Sequence, residues 1–102
     1  MACHQVLESD PVNGRTVVMW HECGIQFRSN LIDRIGGKIE LHSHSYDYKA
    51  LIRGVSFEMV DGDYRGVVNA GDLITIKEGH QHGFTCISKG DAPAEVLCFW
   101  SD

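Results

Sequence analysis

Residues 36–54 read GGKIELHSHSYDYKALIRG, and the parity of this stretch decides the fold. From Lys38 to His44 the aliphatic Ile39 and Leu41 alternate with Glu40, His42 and His44. A period of two residues belongs to a strand, so the two histidines are expected on one face and the two aliphatic side chains on the other. Gly36-Gly37 before the run and Gly54 after it are turn signals. No window of helical length carries a clean 3.6-residue period, so any helix is expected to be short and N-terminal.

The same rhythm extends outward. Runs rich in Val, Ile, Phe and Tyr at 16–22, 26–35, 38–44, 48–52, 55–60, 64–69, 73–76, 83–88 and 94–100 are separated by Gly-, Asp- and Asn-containing breaks. This is an all-β pattern, with Asp61-Gly62 the strongest hairpin signal. So many strands in one small chain cannot remain a single open sheet with bare edges, so a sandwich, jelly roll or small barrel is expected. The 102 residues suffice for one domain and not for two. The expected organisation is an N-terminal arm over 1–14 and a barrel over 15–102.

Nine Lys and Arg against fourteen Asp and Glu leave a net charge of -5, a poor basis for attracting a phosphate backbone, so no nucleic-acid partner is expected. No run is long and apolar enough for a membrane span, and MACHQVLESD lacks the basic start and apolar middle of a signal peptide. The four cysteines, Cys3, Cys23, Cys86 and Cys98, form no C-x-x-C pair. They are read as reduced, small buried side chains of a cytoplasmic protein.

His42-Ser43-His44 is echoed by His80-Gln81-His82. In extended chain an H-x-H spacing puts both imidazoles on one face, and ligands from two such strands can converge on an open transition-metal site.

The neighbourhood of these pairs resembles the cupin superfamily. Its first motif runs Gly, five residues, H-x-H, then a Glu and a closing Gly; here Gly36, His42 and His44 match, and Gly54 stands near the closing position. Its second motif is matched by Gly71, Gly79 and His82 within GDLITIKEGHQHGF, residues 71–84. Lys77 stands where the pattern has Pro, Cys86 where it has Asn, and no Glu follows the first pair. The resemblance implies a cupin-like jelly-roll barrel (a double-stranded β-helix), often a homodimer, with one divalent transition metal (Fe, Zn, Ni or Mn) held by His42, His44 and His82. Counting along the motif puts the missing Glu on Tyr48 or on Asp47. Parity favours Tyr48 as an inward proton donor, whereas a turn at Ser45-Tyr46 would bring in Asp47 as a ligand or general base.

His80 is read as a rim residue that can assist proton transfer, and His4 and His21 as bystanders. One of Arg28, Arg34 and Arg53 can face inward to hold a substrate carboxylate. Trp20, Phe57, Phe84, Phe99 and Trp100 are expected in the core or an interface, with Phe84 as a pocket wall. Three imidazoles without a carboxylate resemble the three-histidine cupin dioxygenases, acting on a small chelating substrate. The alternatives are an isomerase or lyase for a sugar or small acid, and a non-enzymatic module that binds metal or a small ligand.

Overall fold

The structure, a computed structural model, describes residues 5–101. Ten strands make up the fold: β1 (Gln5–Asp10), β2 (Arg15–Glu22), β3 (Ile25–Ile32), β4 (Lys38–His42), β5 (Tyr48–Arg53), β6 (Phe57–Asp61), β7 (Tyr64–Val68), β8 (Leu73–Ile76), β9 (His82–Cys86) and β10 (Ala94–Ser101). The helical content of the described residues is one 3-10 turn, Pro11–Asn13. No helix is long and apolar enough to cross a membrane. The strands form two antiparallel sheets, one ordered β1-β2-β3-β10-β5-β8 and the other β4-β9-β6-β7.

Alternation along each strand builds the core between these sheets. Ala50 and Ile52 of β5 and Val96 and Cys98 of β10 turn inward from the larger sheet, against Phe57 and Met59 of β6 and Phe84 of β9. Gly54, which the motif count singled out, turns the chain out of β5 at φ +83. A Cβ there would lie 2.0 Å from the Pro93 carbonyl oxygen, so the close approach of these loops admits glycine alone.

Three expectations change. Residues 5–10, assigned to an arm, form an edge strand in register with β2 from Gln5↔Trp20 to Asp10↔Arg15. Its side chains are almost all exposed, so it carries no inward-facing pattern to read, and main-chain pairing to β2 makes the strand. β3 ends at Ile32 rather than Ile35, because Asp33 N–H donates to the Gly14 carbonyl and Gly37 N–H closes a turn on Arg34. The third change concerns β4. Ile39 pairs with Phe84 and His42 with His82, three steps along β4 against two along β9, so the register shifts between them. That bulge flips the expected parity: Ile39 and His42 both face inward, while Leu41, expected beside Ile39, is 58% exposed.

Candidate metal centre

β4 and β9 are neighbours in the smaller sheet, and the bulge aims the end of β4 across the start of β9. His42 ends β4, His44 lies two residues on, and His82 begins β9. One ring nitrogen from each lies within 4.8 Å of the others, and no carboxylate oxygen among the described residues joins this group. Side-chain rotation closes such a spacing onto one ion with metal–nitrogen bonds of about 2.1 Å. Although residues 43–47 leave the sheet, alternation persists through them. His42, His44 and Tyr46 are half-buried and Tyr48 is buried, whereas Ser43, Ser45 and Asp47 are exposed.

Hydrogen bonds to the main chain select the ligand atoms. His42 Nδ1 lies 2.8 Å from the Glu40 carbonyl and His82 Nδ1 lies 3.0 Å from the His80 carbonyl. A carbonyl only accepts, so each Nδ1 carries the proton and donates it, leaving the Nε2 lone pair for a metal. The Tyr48 hydroxyl donates to His82 Nε2 at 2.5 Å. Burial pushes the Tyr48 phenol well above its ordinary range, so it remains a proton donor. Burial, then the neighbouring His42, Arg28 and His82, holds His44 down at about 4, and burial lowers His82 as well.

A stability effect follows from His44. Its folded value lies below the unfolded reference of about 6.5, so between those values the unfolded chain binds more protons. The metal-free protein is therefore expected to lose stability as pH falls from about 6.5 to 4. His44 contributes on the order of 1–2 kcal/mol of that loss, after discounting for solvent at its half-buried ring. Urea unfolding at both ends of this window checks it, since the slope should flatten in His44→Gln. An unchanged slope would remove His44 as its source.

The larger sheet closes the site. Arg15 of β2, Arg28 and Asn30 of β3, and Cys98 and Trp100 of β10 line one cavity with His42, His44 and Tyr48. The Tyr46 ring bridges His44 and Trp100, at 5.1 and 5.0 Å. Arg15 Nε and its terminal NH2 both donate to Asn30 Oδ1 at 3.1 Å, and Asn30 Nδ2 donates to the Val96 carbonyl. Burial pushes the Cys98 thiol up to about 12, which keeps it protonated. The enclosed space is about 10 Å³, room for about one water. A groove of about 220 Å³ shares Arg15, Arg28, Ile39 and His42 with it and is also lined by Asp10 and Glu40.

The other sequence candidates scatter. Asp47 is exposed; its carboxylate accepts the Glu78 N–H at 2.8 Å and lies 3.7 Å from Lys77 Nζ, away from the cluster. The His80 ring is exposed, 3.2 Å from Asp61 Oδ1, and it is the His80 carbonyl that orients His82. His21 pairs across the sheet with Gln26, outside the cluster, and His4 and Cys3 lie outside the described residues. Of the three arginines, Arg28 lines the cavity; Arg34 pairs locally with Asp33, and Arg53 with Glu95. Phe84 lines the cavity as expected, and Cys86 and Cys98 are buried, but Cys23 is exposed in the β2–β3 turn. Tyr46, Arg15 and Asn30 were missed. Tyr46 was legible, since it shares the parity of His44 and Tyr48.

No protein-family model matches the sequence, and no curated protein does. Solved structures do match. KdgF from Halomonas sp. is 17% identical with a TM-score of 0.76, over 94% of this chain and 84% of that one. An RmlC-like cupin family protein with a double-stranded β-helix fold, from Methanocaldococcus jannaschii, is 13% identical with a TM-score of 0.71, over 96% and 90%. The formate complex of Lactobacillus farciminis oxalate decarboxylase is 18% identical with a TM-score of 0.76, over 97% of this chain but 30% of that one. At these identities the likeness bears on architecture, and it agrees with the two sheets described above: the chain has the cupin fold, a double-stranded β-helix.

Proposed function

We propose that the protein is a three-histidine, metal-dependent enzyme of the dioxygenase type that acts on a small chelating organic substrate. The observation that carries this reading is the convergence of His42, His44 and His82 with no carboxylate in the group. Imidazole donors suit a divalent iron, zinc, nickel or manganese ion, and three of them leave coordination positions open. Such an ion supplies Lewis acidity and, as iron, a centre for oxygen chemistry. The chain does the rest. The backbone carbonyls of Glu40 and His80 fix two imidazoles, Phe84 and Ile39 give the cavity apolar walls, and Tyr48 offers a proton beside His82 Nε2. That buried proton donor also favours a second reading, a metal-dependent isomerase or lyase for a sugar or small acid.

Metal analysis of protein purified without chelator is expected to find about one transition ion per chain. With iron loaded, a panel of small diketones, thiols and hydroxyacids should then give oxygen uptake. No uptake with iron, together with turnover of a keto sugar or small acid with zinc or nickel, would hand the assignment to the second reading. Silence in both arms with a tightly retained ligand would make the chain a binding module.

We also propose that the chain pairs with a second copy through the outer face of the larger sheet. Trp20 stacks on Phe27 there at 5.0 Å, and Phe99, Leu51 and Leu97 extend the apolar band while Leu73 is 59% exposed. Identical apolar faces of this kind suit a two-fold pair. Light scattering should give twice the chain mass, and a monomer at micromolar concentration would refute the pairing. Cys23, Cys86 and Cys98 are free thiols, which suits a reducing cytoplasm.

A further inference from the structure

We infer that Arg28 is the specificity residue of this site, a guanidinium that grips the carboxylate of a small oxygenated organic acid. The inference deepens the three-histidine reading and rests on it only for the ligand's second contact, a hydroxyl or keto oxygen reaching the metal. Arg28 comes from the inner face of β3, where it opposes Met19 and Cys98 in the sheet register. Its guanidinium carbon stands 5.8 Å from the Trp100 ring centre, and it lines both the histidine cavity and the groove that shares its walls.

What singles it out is an unmet valence. Arg28 Nε is buried with no hydrogen-bond partner, and among the described residues no carboxylate comes within ion-pair distance of its guanidinium. A buried donor left unmet is costly, so an arginine kept in this state fits a site whose acceptor arrives with the ligand. Arg15, its neighbour in the groove, is already committed, since two of its nitrogens hold Asn30 Oδ1. The acids of the groove are Asp10, whose carboxylate accepts from Asn13, and the exposed Glu40.

A guanidinium with an unmet donor matches the planar, two-oxygen geometry of a carboxylate. A phosphate dianion would call for a second uncommitted cation. The enclosed space beside the histidines holds about one water. Only the small oxygenated end of a ligand fits there, with its carboxylate in the groove at Arg28.

Calorimetric titration of zinc-loaded and metal-free protein with glycolate, pyruvate, the neutral hydroxyacetone and inorganic phosphate tests this. Both acids should saturate the zinc-loaded protein, with hydroxyacetone weaker by about tenfold or more. Arg28→Met should weaken the acids by a similar factor while zinc content stays unchanged, which also shows that the variant folds. Arg28→Lys should fall between, having charge without the fork. Hydroxyacetone binding as tightly as glycolate, an unaffected Arg28→Met, or phosphate outbinding both acids would overturn the inference. Should zinc bind while neither acid saturates, Arg28 loses its role and the metal reading stands. Should zinc fail to bind while pyruvate still binds in an Arg28-dependent way, the metal reading falls and the carboxylate grip stands.

Discussion

His82→Gln is expected to reduce bound metal from about one ion per chain to under about a tenth, with affinity falling by about a hundredfold or more. His82 is fully buried, and its Nδ1 is tied to the His80 carbonyl, so Nε2 is the atom it can present. Glutamine fills much of the same volume without an imidazole nitrogen, which separates loss of a ligand from collapse of a cavity. Stability should report the same change. A ligand that binds only the folded state, at a thousand times its dissociation constant, adds about 4 kcal/mol. The variant should therefore unfold at one urea concentration with or without added metal, whereas the parent protein shifts. His21→Ala, outside the cluster, should behave like the parent. Equal metal content in the two variants would sink the ligand assignment.

Tyr48→Phe should keep the metal and lose about a hundredfold or more in turnover. Positioned proton donors contribute roughly 10²–10⁴ to rate, and Tyr48 offers its hydroxyl beside His82 Nε2 from a buried position. Because burial keeps the phenol protonated, it donates rather than binds as a phenolate. In metal-free protein the substitution also removes the donor to His82, at a cost of about 1 kcal/mol that should vanish once metal takes the lone pair. Asp47→Asn should change neither metal content nor rate, since that carboxylate is spent on the Glu78 N–H at the surface. If Asp47→Asn strips the metal and Tyr48→Phe is silent, the chain brings Asp47 inward in solution. The three-histidine set is then incomplete.

Much of this was legible before any tertiary contact was known, for a local reason. Strand geometry throws successive side chains to opposite faces, so period-two alternation and Gly-rich breaks mark β5, β6 and β10, and H-x-H puts two imidazoles on one side. The alternation of burial from His44 through Tyr46 to Tyr48 survives even where the chain leaves the sheet and bends at Ser45-Tyr46. Tertiary structure decided the rest. The β4 bulge that turns His42 to the same side as Ile39 depends on pairing with β9, some forty residues away in sequence, and nothing within residues 38–44 marks the extra residue. β1 was invisible because its side chains face water and only its main chain is used. That Arg28 lines the cavity while Arg34 and Arg53 find acids elsewhere became decidable only when the sheet closed. Alternation sorts a strand's side chains into two sets; which set meets the core is settled by the strands that pair beside it and the sheet that packs against it.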